Sequence, residues 1–197
     1  MPREPEIQQD IPRRVTTFTA ERSGGERPWA APARWARIAA HVAALTPVPS
    51  AIWRISLVFG FSGGYTEQGL IDLSIAGWGW VQLVVLSVLS ESAALLTLGL
   101  VQPWGEVAPR WVPFLGGRPI PKTPVIIAAS LGAIMLMVLW TPLLLWWSIP
   151  HPDMTTTGMH VVGVLYVPLV AWGPLLAAVT VSYSLRRRAA AAHDRSS

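Results

Sequence analysis

Arg54 and Glu91 are the two ionisable side chains that fall inside long apolar runs of the 197-residue sequence. A lone charge in hydrocarbon costs at least about 2.5–3.5 kcal/mol, so each must face protein or water. Ser50 lies one turn before Arg54, and Ser87 one turn before Glu91. Val84, Ser87, Glu91, Ala94 and Leu98 recur at three- and four-residue spacing and share one helix face. One acid and one base suit an ion pair that fixes helix register. They equally suit a proton or cation relay, or a counter-ion for an anionic substrate. Counted at 1.5 Å per residue, Arg54 lies about 9 Å and Glu91 about 20 Å below the outer ends of their runs. A long Arg side chain reaching inward, or a bridging water, must close that gap for the two to pair.

Proline supplies a second pattern. Pro47, Pro49, Pro142, Pro168 and Pro174 interrupt three of the apolar runs. Each removes an intrahelical bond and is expected to bend its helix. Pro49, Pro142 and Pro168 fall at depths similar to Arg54, so with Trp140 they are the candidates for shaping an outward-opening cavity. The alternative is that they only adjust packing.

A third pattern lies between the second and third runs. Five prolines over 103–121 exclude a long helix, and Gly116–Gly117 permits a tight turn. Trp104 and Trp111 are too apolar for a solvated loop, while Arg110 and Arg118 suit anionic headgroups. Glu106 is spaced to meet Arg110. Trp104, Glu106, Arg110, Trp111 and Arg118 are therefore the candidate lipid or partner contacts, unless the loop merely anchors two helices.

The elements that position these residues follow from composition. Hydrophobic residues make up 52% and charged residues 13%, about half the charge of a soluble domain. Four apolar runs, over 38–59, 76–101, 125–148 and 161–183, each exceed the roughly 20 residues needed to cross a bilayer. Basic residues alternate across them. Seven precede the first run, three lie in the 102–124 loop, four follow the last run, and neither intervening loop carries any. Lys and Arg stay on the cytoplasmic side, so both termini are expected there. The sequence thus predicts an all-α integral membrane four-helix bundle over 34–185. A disordered basic tail over 1–33 precedes it and a basic tail over 186–197 follows. The two halves show no matching interrupted helices, so no internal repeat is expected.

Several chemistries are set aside. With no cysteine, disulfides, thiolate nucleophiles and iron–sulfur clusters are excluded. His151, Asp153 and His160 are spread over a ten-residue loop, and His41 lies at the opposite depth to His160, so neither a metal nor a haem is expected. The basic residues form no patch for nucleic acid. No cofactor and no catalytic residue are assigned.

The stretch Leu98-Gly-Leu-Val-Gln-Pro-Trp-Gly-Glu106, followed by Pro-Arg-Trp-Val-Pro and Gly-Gly-Arg-Pro-Ile-Pro, resembles a cytoplasmic loop of uncharacterised small polytopic membrane proteins of high-GC Gram-positive bacteria. The resemblance covers the second run, the loop and the start of the third. It implies a multi-pass protein of the bacterial plasma membrane and transfers no catalytic residue. The leading functional expectation is a non-enzymatic membrane component or small-solute or proton pathway. Its partners would be the anionic bilayer surface and a second copy or another membrane protein. A membrane-embedded enzyme acting on a lipid, and a structural or regulatory subunit of a larger complex, are the alternatives.

Overall fold

Prolines and threonine caps, more than the apolar runs themselves, decide where the helices begin and end. The structure, a computed structural model, describes residues 31–74, 77–105, 107, 117 and 120–193. Seven α-helices occur among them. These are α1 (Arg34–Leu45), α2 (Val48–Val58), α3 (Glu67–Asp72), α4 (Gly79–Gly99), α5 (Lys122–Trp140), α6 (Thr156–Tyr166) and α7 (Pro168–His193). Two 3-10 segments, Pro103–Gly105 and Thr141–Ser148, complete the helical structure. The N-terminal residues 1–30 expected to be disordered, and Glu106, Arg110, Trp111 and Arg118 of the loop expected to be cytoplasmic, lie outside the described residues.

Among the described residues, three stretches are long and apolar enough to cross a membrane: Gly79–Gly99, Lys122–Ser148 and Thr156–Ala192. They coincide with the runs expected over 76–101, 125–148 and 161–183. α4 and α5 turn Leu86, Leu89, Leu96, Leu131, Met135 and Val138 outward, all exposed. An apolar surface of that extent suits lipid rather than water. The first run differs from expectation. It is divided at Thr46–Pro47 into α1 and α2, neither of which has the length to cross alone. Pro47 cannot donate a helical hydrogen bond, and the Thr46 hydroxyl turns back to donate to the Ala43 carbonyl at 2.7 Å.

The prolines therefore end helices instead of bending them. Pro49 sits in the first turn of α2, Pro142 opens the 3-10 segment after α5, and Pro168 opens α7. The first turn is where proline costs least, because its missing N–H has no helical acceptor there. Pro174 alone of the five stays within a helix.

Packing runs α4–α1/α2–α6/α7–α5. α1 lies against both α4 and α7, α2 against α4 and α6, and α5 against α7. Ala36, Ala40 and Ala43 face inward on α1 and are fully buried, which lets the backbones approach closely. Leu169 and Trp172 fill the middle of the bundle, and Val179 and Tyr183 fill one end.

The loops after α2 and before α6 are clasped together. Tyr65 and Met154 form an antiparallel bridge. The Thr66 N–H donates to the Asp153 carbonyl and the Thr155 N–H to the Gly64 carbonyl, both at 2.9 Å. Each threonine also caps its helix: Thr66 Oγ1 accepts from Gly69 N–H at 3.2 Å, and Thr155 Oγ1 from Gly158 N–H at 3.0 Å. The segments Gly64-Tyr-Thr-Glu-Gln-Gly69 and Asp153-Met-Thr-Thr-Thr-Gly158 are thus two copies of one local structure. Thr46-Pro47 and Thr141-Pro142 mark the preceding breaks in the same way. The expectation of no internal repeat is corrected to this extent. The relation stays local, since α1 packs on two long helices and α5 chiefly on α7.

Candidate functional site

Arg54 projects from the second turn of α2 into the space between α4 and α6. Its backbone position is fixed by Pro47–Pro49, which start α2, and by Ser50 one turn earlier. The side chain is only 2% exposed. Nε donates to Ser87 Oγ at 2.9 Å, and Nη1 donates to Ser50 Oγ at 3.3 Å and Tyr166 Oη at 3.4 Å. Both serines can accept because their own hydroxyl protons are committed elsewhere. Ser50 donates to the Pro47 carbonyl and Ser87 to the Leu83 carbonyl, each at 2.8 Å. The guanidinium also lies 5.9 Å from the Tyr166 ring centroid, within cation–π range. Nη2 is buried with no hydrogen-bond partner.

Glu91 lies one turn beyond Ser87 on α4, about 6 Å further along the helix. Arg54 and Glu91 act on each other electrostatically. No ion pair within 4 Å joins them, and Glu91 Oε1 is buried without a partner. Arg54 does reach inward, to the level of Ser87, but stops one turn short of the carboxylate.

A cavity of about 350 Å³ meets this group. Trp53, Arg54, Tyr65 and Tyr166 line it from α2, the loop after α2 and α6, and Asp72, Gln82 and Leu86 from α3 and α4. Trp53 stands edge-on to Tyr166 at 5.6 Å and tilted against Tyr65 at 5.7 Å. Its indole N–H donates to the Gly63 carbonyl at 2.9 Å. The aromatic wall is therefore tied to the clasped loops. Burial, with the negative charge of Asp153 next in weight, pushes the Tyr65 phenol up to about 12, so this hydroxyl stays protonated at physiological pH.

The proline candidates do not line this cavity. Pro49 supports it indirectly by starting α2. Pro142 belongs to a different groove, apolar but for Thr141, with Met137, Val138 and Leu145, and Pro168 forms the α6–α7 break. Trp140 does not line the cavity; its ring is tilted against Tyr166 with centroids 6.0 Å apart, and its indole N–H is unpartnered. Of the cytoplasmic-loop candidates, the described Trp104 folds back over Gly99, and its N–H donates to Gln102 Oε1 at 2.6 Å.

Sequence reasoning named Arg54, Ser50 and Ser87 but missed Tyr166, Asp72 and Gln82. A phenol in the middle of an apolar run was the available signal for Tyr166. It also treated Arg186 and Arg187 as tail charges. Arg186 Nη2 donates to the Leu100 carbonyl at 2.7 Å, where α4 ends, and Arg187 Nη2 to the Ile120 carbonyl at 3.1 Å. A cation suits the C-terminus of α4, and the two arginines hold both ends of the loop between α4 and α5 against α7.

No family model, curated protein or solved structure matches the chain.

Proposed function

We propose that the chain crosses a bacterial plasma membrane four times, with both termini in the cytoplasm, as a non-enzymatic component that admits a small solute or proton from the outer side. The observation that carries this reading is Arg54: a buried cation without an ion-pair partner that lines a cavity, inside a largely apolar bundle. A buried Arg used only as glue would be expected to have every donor satisfied, and Nη2 is not. Glu91, one turn deeper, is the next ionisable group along the same path. For the fourth crossing, α1 and α2 together extend about 36 Å at 1.5 Å per residue, enough for the hydrocarbon core. Ile38, Leu45 and Ile52 face outward along this pair at 65%, 64% and 67% exposure, as lipid-facing residues do. The distribution of basic residues supports the orientation.

The absence of cysteine makes the topology directly testable. Single cysteines at Ser62 and Thr157 are expected to react with a membrane-impermeant maleimide on intact cells. One at Ser196 should react only after permeabilisation. Labelling of Ser196 on intact cells would overturn the four-crossing arrangement.

The pathway is tested in proteoliposomes loaded with a pH-sensitive dye. The full-length protein should raise proton entry over empty vesicles, and Glu91→Gln should remove at least nine-tenths of the increase without changing the unfolding temperature. Equal proton entry with and without protein would end the proton reading. Full activity in Glu91→Gln would remove Glu91 from the path.

A further inference from the structure

α4 stands at the edge of the bundle. It packs on α1, on α2 and on the 3-10 segment Pro103–Gly105 that follows it, and turns the rest of its surface outward. Val81, Val84, Val88, Glu91 and Leu95 recur along it in alternating steps of three and four residues. This is the 3.5-residue period by which one helix seats against another at a shallow left-handed crossing. The seam runs about 21 Å, most of the hydrocarbon thickness. Val88 and Leu95 are 59% and 57% exposed, so nothing among the described residues covers its middle.

One member of the seam is not apolar. Glu91 lies just past the middle of α4, the depth at which a lipid-facing carboxyl is least tolerated. Its Oε1 is enclosed without a hydrogen bond, whereas Oε2 is neither enclosed nor bonded and reaches the protein surface. Ser92 follows it, exposed on the same flank. A carboxyl acceptor and a hydroxyl donor therefore stand side by side on a face that is otherwise valine and leucine. Their positions select what covers them. When two such helices pack in parallel, the residue in the place of Glu91 enters a hole made by four residues of the facing helix. In a second copy those four are Val88, Glu91, Ser92 and Leu95. A foreign helix would have to bring its own donor to this depth, and a second copy already carries one.

We propose that α4 forms the interface of a parallel homodimer, in which the Ser92 hydroxyl of each copy donates to the Glu91 carboxyl of the other. The two carboxyls meet at the axis and share a proton, where two bare carboxylates would repel. Both copies insert in the same orientation, so the two-fold axis runs along the membrane normal and the contact is self-complementary. β-branched residues at the places of Val81 and Val88 favour two strands. The contact leaves the cavity open, because Leu86, which lines it, points about 160° around α4 from Val88. The interface therefore stands whether or not a solute enters there.

The cysteine-free chain allows a direct test with the full-length protein in proteoliposomes. Val88→Cys and Leu95→Cys should each form disulfide-linked dimers on mild oxidation. Leu89→Cys and Leu96→Cys, similarly exposed but about 100° around the helix, should not. Affinity is read by energy transfer between labelled copies as they are diluted in lipid. Ser92→Ala and Glu91→Leu should each weaken dimerisation at least fivefold, because the two-fold axis removes every interhelical hydrogen bond twice. Glu91→Gln, whose amide still donates and accepts, should stay within about twofold of the unsubstituted protein. Cross-linking of equal extent at all four positions, or at none, would overturn the interface. Dimerisation indifferent to both Ser92→Ala and Glu91→Leu would overturn the polar contact that selects a second copy. Neither readout measures flux, so failure of the proton pathway leaves both interpretable.

Discussion

Arg54→Met is expected to abolish entry through the cavity that Arg54 lines while leaving the unfolding temperature unchanged, or raising it by a few degrees. The reasoning turns on what each partner does once the guanidinium is gone. Ser50 Oγ still donates to Pro47, and Ser87 Oγ still donates to Leu83, so neither hydroxyl is orphaned. Tyr166 Oη loses one donor but borders the cavity, where water can reach it. A flexible thioether fills a similar volume against Trp53 and Tyr166 without a desolvation cost. Buried charges replaced by apolar groups of like size commonly leave stability unchanged or improve it, whereas removal of a needed ionic partner costs about 3–5 kcal/mol. For a chain of this size that loss corresponds to roughly 10 °C in unfolding temperature. A thermal melt in detergent therefore separates the two roles left open by the residue types alone. A fall of about 10 °C with Arg54→Met would make Arg54 a structural fixture, and the solute reading would fail with it.

The legible part of this protein was the part written in single residues. An Arg and a Glu inside apolar runs announce themselves because hydrocarbon tolerates neither unpaired. Ser50 and Ser87 follow from helical spacing. The three long apolar helices were legible for the same reason: an all-round apolar stretch of twenty residues has few other uses. What stayed hidden needed proximity across the chain. Tyr166 joins Arg54 over a separation of 112 residues, and its one local signal, a phenol inside an apolar run, does not say which residue it meets. Asp72 and Gln82 read as ordinary loop and helix-start residues until α3 is folded against α4. The proline effect was misjudged because a proline inside a hydropathy window can either bend a helix or restart one. At Thr46-Pro47 and Thr141-Pro142 the threonine hydroxyl bonds back to the preceding turn, and the chain restarts. The clasp was invisible for a different reason. Thr-x-x-Gly reads as a common helix start, and only the reciprocal hydrogen bonds give the two copies a shared purpose.

Gly158→Ala is expected to destabilise that clasp by about 3 kcal/mol, the upper range for over-packing between rigid groups. A Cβ at this position would drive into the backbone of Gly64, against its carbonyl oxygen, carbon and Cα together. Neither side can yield cheaply. The Gly64 carbonyl accepts from the Thr155 N–H at 2.9 Å and from Thr155 Oγ1 at 3.1 Å, while Gly64 itself has a φ of +94° that suits glycine. The reciprocal contact, Gly69 against the Asp153 carbonyl, leaves the same absence of room on the other side. Relief would come by parting the loops, which moves Tyr65 away from Trp53 and opens the cavity wall. Hydrogen exchange at the Thr66 and Thr155 amides is the direct measure, and a loss of 3 kcal/mol accelerates both by about a hundredfold. Gly132→Ala is the matched control, since its Cβ would meet only Leu176 Cδ2 at 3.7 Å, an ordinary contact. If exchange at both threonines is unchanged in Gly158→Ala, the loops are not clasped through their backbones. The cavity would then lack the support that holds Tyr65 over Arg54. If exchange rises and proton entry falls with it, the clasped loops and Arg54 form one functional unit.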